Sequence, residues 1–104
     1  MNKNYEIKYM PSFSEEIIEI LLYINHKLNN KKAAENLYEN VIDAILERSQ
    51  KPTSFEIYRV SKILTKNWYR IYVKNYTIFY SVENSIMTVA HILYSKRDLT
   101  KFIW

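Results

Sequence analysis

At 104 residues, 48% of them hydrophobic, the chain reads as one folded domain, 1–104, with room for a single core. It has no cysteine, which excludes disulfide frameworks and thiolate metal centres, and no glycine, which excludes the GxGxxG and P-loop phosphate cradles. The formal charge of +4 is uneven: residues 1–52 carry 7 Lys and Arg against 8 Asp and Glu, residues 53–104 carry 8 against 3, so the second half is suited to acidic partners.

Tyr5, Ile7 and Tyr9 alternate with polar residues, the period of a half-buried strand, and Pro11 stops it. Ser12 with Glu15 fits a capping box, and Phe13, Ile17, Ile20, Leu21, Ile24 and Leu28 then recur at helical spacing. Asn29-Asn30 breaks that pattern. A second helix is predicted over Lys32–Ser49, with Ala34, Leu37, Val41, Ala44 and Ile45 as its apolar stripe. The short gap between the helices predicts an antiparallel hairpin.

Residues 53–66 fit either an irregular edge strand, with Ile57, Val60, Ile63 and Leu64, or a loop. Strands follow near Tyr69–Lys74, Tyr76–Val82 and Ile86–Tyr94. Lys74-Asn75 makes a tight turn and Glu83-Asn84-Ser85 a slightly longer one. Without glycine, positive φ falls to asparagine, with Asn30, Asn67, Asn75 and Asn84 at the expected turns. The tail Leu99–Trp104 is expected to dock, since Phe102, Ile103 and Trp104 are apolar.

The predicted fold class is α+β: an N-terminal strand, an antiparallel two-helix hairpin, and an antiparallel meander of three strands packed on the helices. The meander ends on the cluster Ser95-Lys96-Arg97-Asp98, so its surface away from the helices is expected to present cations to an anionic partner. No run approaches the roughly 20 apolar residues that cross a bilayer, and MNKNYEIKYM lacks a signal-peptide core. A cytoplasmic protein with no membrane partner is expected. No His, Cys or Asp spacing predicts a metal, and no cofactor is expected. An RRM-type RNA binder is disfavoured by the element order and by the missing glycines.

The order and spacing of several short motifs resemble the RelE/ParE superfamily of bacterial type II toxin–antitoxin (plasmid stabilisation) toxins. They are P-x-F-x-x-x-I-x-x-I-x-x-Y-I at Pro11–Ile24, Ala33-Ala34 opening the second helix, and Lys51-Pro52 closing it. Tyr69-Arg70-Ile71, Tyr76-Thr77-Ile78-Phe79-Tyr80 and Tyr94-Ser95-Lys96-Arg97-Asp98 complete the set. Tyr23-Ile24 and Arg97-Asp98 look closer to the ParE branch.

The resemblance implies a growth-inhibiting toxin neutralised by a cognate antitoxin. ParE-like members poison DNA gyrase, the favoured target here. RelE-like members are metal-independent endonucleases that cut mRNA on the ribosome, and this is the alternative. In the nuclease case the carried-over catalytic residues are Arg70 and Arg97, with His91 as the acid–base candidate. Tyr72 stands where the family has a second lysine, Thr77 where it has an arginine, and Ile103 near a C-terminal tyrosine. Arg70, Lys74, Lys96 and Arg97 are the candidate target- or antitoxin-binding residues. The plainer readings are a solvated sheet edge for these four and a hydrogen-bonded structural histidine for His91.

Overall fold

The structure, a computed structural model, describes residues 5–58 and 67–96. Arg97, Asp98 and the apolar tail lie outside the described residues, as do Val60, Ile63 and Leu64. Strand β1 (Glu6–Tyr9) leads into helix α1 (Pro11–Leu22), a π-helical turn (Tyr23–Lys27) and helix α2 (Lys31–Arg48). Strands β2 (Ile57–Tyr58), β3 (Trp68–Val73), β4 (Tyr76–Glu83) and β5 (Ile86–Tyr94) follow.

The α+β class holds, and β3–β4–β5 form the expected antiparallel meander. The sheet is wider than that: among the described residues it has five strands, in the order β1-β5-β4-β3-β2. β1 joins β5 in parallel, Ile7 opposite Met87, and β2 edges β3 antiparallel. The parallel pairing is available because the helix hairpin separates β1 from the meander and serves as the long crossover such pairing needs.

Pro11 does not simply stop β1; it occupies the first turn of α1, where its missing N–H costs nothing. The N-cap is Met10, with no side-chain cap bond, so the Ser12–Glu15 capping box does not form. Ser12 Oγ instead donates to Ala90 O at 2.6 Å. The helical spacing also ends early. The π-helical turn, closed by Leu28 N–H to Tyr23 O, shifts the phase of the helix. Ile24 stays buried, whereas Leu28 swings out to 56% exposure and leaves the predicted apolar face. Asn29 then takes positive φ, and Asn30 caps α2 by accepting from Ala33 N–H at 3.0 Å.

Ala34, Leu37, Val41 and Ile45 of α2 are buried as their spacing predicts. They pack with Phe13, Ile17 and Ile24 against Ile71, Ile78, Tyr80, Met87, Val89 and Ile92 of the sheet. α1 lies against β5 and α2 against β3. The other sheet face is partly apolar among the described residues. It carries a second buried cluster of Trp68, Phe79, Ala90 and Leu93, with Tyr58 beside it. Arg70 lies on this same face, and Arg97 lies outside the described residues.

Both hairpin turns are two residues long. Val73 pairs with Tyr76, and Glu83 with Ile86, so the second turn is tighter than predicted. Among the described residues positive φ falls at Asn29, Lys74, Asn84 and Ser85. Only Asn84 was expected there; Asn30 and Asn75 are not left-handed. Asn84-Ser85, both left-handed, matches the twist of the flanking strands. In β5 a bulge opposite Phe79 and Tyr80 places His91 against Phe79 and Val89 against Tyr80, leaving Ala90 as the extra residue.

Burial holds three phenols above the usual value of 10.0: Tyr9, Tyr76 and Tyr80. For Tyr80 the desolvation outweighs the lowering by the Arg48 hydrogen bond and charge. In the unfolded chain these phenols lose protons near pH 10 while the folded ones keep theirs, so the unfolded state binds fewer protons in that window. Their contribution to stability is therefore expected to be level below about pH 10 and to decline above it. Urea midpoints across the alkaline range, read beside tyrosinate absorbance, check this.

Candidate functional site

Alternation along β3 sends Tyr69, Ile71 and Val73 to the helix side and Trp68, Arg70 and Tyr72 to the other. Arg70 is half-buried there. Its guanidinium stacks 4.3 Å from the Tyr58 ring centroid and 5.6 Å from that of Tyr72. Tyr72 is 62% exposed. Thr77 is 2% exposed and hydrogen-bonded to Ser95 Oγ at 2.8 Å. A cation in that position would lose its hydration.

Lys74 and Lys96 come together at one end of the sheet. Lys74 opens the β3–β4 turn, and the end of β5 is tied to that turn by Ser95 N–H donating to Asn75 O at 2.8 Å. Both lysines are exposed. Arg70 lies four residues up β3 from Lys74, about 13 Å along the strand.

His91 stands apart from this cationic end. Its Nδ1 lies 3.1 Å from Glu16 Oε2, and Glu16 Oε1 accepts the Ile92 N–H at 3.1 Å. The reason is the short length of β1. Met10 N–H still reaches Val89 O, but beyond it β5 has no strand on that side among the described residues. Ser12 and Glu16, one helical turn apart on α1, take over and satisfy Ala90 O and Ile92 N–H. The bulge also breaks the simple alternation expected for this strand: Ala90 sides with Phe79 and Ile92 with the helix-side core.

Arg70 and His91 thus occupy the two ends of one cross-strand row, with Phe79 between them. The row spans two inter-strand spacings, about 10 Å. Phe79 is fully buried, and Tyr58, which carries the Arg70 guanidinium, also contacts the Phe79 ring, at 5.6 Å between centroids. Among the described residues no group of His, Asp or Glu is arranged to hold a metal ion, and no helix is long and apolar enough to cross a membrane.

Reading the sequence missed two side chains that organise this region. One is Glu16. The other is Arg48, the last residue of α2, whose Nη1 donates to Arg70 O and to Tyr80 Oη, both at 2.9 Å. The i, i+4 relation of Ser12 and Glu16 was visible; that it faces a strand edge was not.

A family profile matches residues 7–99: the ParE toxin of type II toxin–antitoxin system, parDE. No curated protein matches the chain in sequence. Among solved structures, the chromosomal ParDE toxin–antitoxin system from P. aeruginosa superposes with a TM-score of 0.72 at 10% identity. That match covers 90% of this chain and 99% of the other. The RelB–RelE antitoxin–toxin complex from Methanococcus jannaschii is similar at a TM-score of 0.48 and 17% identity, covering 86% of this chain and 91% of that one. The profile runs from β1 through the meander, and the fold is that of the P. aeruginosa ParDE chain. On that ground this chain belongs to the ParE family of type II toxin–antitoxin toxins.

Proposed function

We propose that this toxin inhibits growth by binding DNA gyrase in a stoichiometric complex, without chemistry of its own on nucleic acid. The observation that carries this reading is the separation of its would-be catalytic groups. His91 is engaged by Glu16 at one side of the sheet, Arg70 is stacked on Tyr58 at the other, and buried Phe79 stands between them. A phosphoryl-transfer site needs its proton acceptor and its cations within about 3 Å of the same reacting group. The exposed pair Lys74 and Lys96, with Arg97 next in the chain, suits an acidic protein surface instead.

Purified toxin is expected to abolish gyrase supercoiling at near-equimolar ratio. The exposed double substitution Lys74→Glu and Lys96→Glu is expected to raise the half-inhibitory concentration about tenfold or more, by reversing charge at the contact. Unaltered supercoiling at large molar excess would reject the proposal. Codon-specific mRNA cuts on translating ribosomes, lost in Arg97→Ala, would establish the endonuclease reading in its place.

A cognate antitoxin is the second part of the proposal. Ile18 and Leu22 of α1 and Tyr38 and Leu46 of α2 are exposed apolar side chains on the hairpin, a surface suited to an amphipathic segment. Co-expression of the adjacent reading frame is expected to restore growth, and Tyr38→Glu to weaken that rescue while leaving toxicity intact.

A further inference from the structure

A separate groove of about 550 Å³ opens between the second half of α1 and the end of the sheet. Its lining includes Glu16 and Glu19 from α1, Tyr23 from the π-helical turn, Tyr76 from β4 and Ile92 and Tyr94 from β5. This makes it an acidic, phenol-rich pocket on a chain whose formal charge is +4.

The groove also contains a stretch of strand edge that no strand covers among the described residues. In an antiparallel pair, alternate residues turn their backbone groups toward and away from the partner strand. Ser95 N–H points toward the β4 side, where it meets Asn75 O of the β3–β4 turn, and Ile92 N–H points the other way, where it meets Glu16. Ile92 C=O and both backbone groups of Tyr94 therefore face the groove. Among the described residues no strand lies beside them, since β1 pairs only as far as Val89.

The three phenols converge. Tyr76 and Tyr94 meet edge to face at 6.0 Å between centroids, and Tyr94 and Tyr23 both help to hold the Tyr76 phenol above its usual value, after the larger effect of its own burial. Two carboxylates and three aromatic hydroxyls thus surround one cleft. Oxygen acceptors and ring faces in that combination select a guanidinium or an ammonium group.

We propose that this groove receives a short extended segment of a partner protein, which pairs with the Tyr94 backbone and seats one arginine or lysine side chain among Glu16, Glu19, Tyr23, Tyr76 and Tyr94. The backbone ladder sets the position of the segment, and the cationic side chain sets its specificity. The inference is independent of which macromolecule the toxin inhibits, because the groove uses none of the cationic residues assigned to the target.

The test uses the full chain and three synthetic peptides of alternating threonine and valine. Their central residue, on the face that meets α1, is arginine, norleucine or glutamate. Amide NMR titration is expected to move the signals of Glu19, Tyr23 and Ile92–Ser95. The arginine peptide is expected to bind about tenfold or more tightly than the glutamate peptide. Glu19→Lys, an exposed change that leaves the core intact, is expected to remove that preference. A proline placed where the peptide must donate to Tyr94 C=O is expected to abolish binding. Shifts centred elsewhere, equal affinity for the three peptides, or no binding at about 1 mM of the arginine peptide would each overturn the proposal.

Discussion

Replacing Arg48 by alanine is expected to lower the unfolding free energy by about 3 kcal/mol, roughly two charge-assisted hydrogen bonds and a stacked cation less the relief of desolvation. One guanidinium holds four pieces of the fold together. From the end of α2 it donates to Arg70 O on β3 and to Tyr80 Oη on β4, and its face lies 3.4 Å from the Phe55 ring centroid. Tyr80 Oη passes the network on to Pro52 O at 2.7 Å. Tyr80 has no exposed surface and stacks on Tyr69 at 5.2 Å, so its hydroxyl cannot turn to water once its donor is gone. A cation at the last turn of a helix is also favoured by the helix dipole.

Arg48→Lys is expected to recover less than half of the loss, because a single ammonium cannot reproduce the fork or the stacked plane. Urea unfolding should show a lower midpoint with an unchanged slope. With Tyr80→Phe in a double-mutant cycle, the two losses should fall short of additive by about 1 kcal/mol. A cost for Arg48→Ala below about 1 kcal/mol, within the range of ordinary surface changes, would mean the network is not structural.

The second large effect is expected at Glu16. Glu16→Ala strips the acceptor from Ile92 N–H, whose residue is almost completely buried, and from the Nδ1 side of His91. The expected loss is about 2 kcal/mol, the cost of one charge-assisted bond and an unsatisfied strand-edge amide. Glu16→Gln keeps a carbonyl oxygen for the amide and should lose less than half as much. Hydrogen exchange separates this from a general destabilisation: the Ile92 amide should lose protection in Glu16→Ala by more than the amides of β4 do. Equal loss across the sheet would contradict the edge-capping role.

The two helices were legible from spacing, except that the π-helical turn takes Leu28 off the α1 face. Of the α2 stripe, Ala34, Leu37, Val41 and Ile45 are buried and Ala44 is partly buried, because a 3.6-residue period leaves one face to cover. The three-stranded meander was legible from runs of β-branched and aromatic residues separated by two-residue gaps. The handedness of its turns was not. Asparagine is the usual substitute for glycine, yet Lys74 and Ser85 take positive φ as well, because hairpin twist outweighs the residue's own preference. Of the proposed site, the lysine pair at the β3–β4 turn followed from the placement of that turn. The distance between Arg70 and His91, and the burial of Phe79 between them, required the register.

What this sequence settled by itself is therefore what depends on neighbours in the chain: the helix faces, the strand runs, the missing glycines and cysteines, and the family motifs. Only the tertiary structure decided which distant groups meet. It brought β1 beside β5, filled the sheet's second face with Trp68, Phe79 and Leu93, and set Arg48 and Glu16 against backbone groups 22 and 76 residues away. Periodicity records which side of an element avoids water, and it carries no information on which other element does the covering.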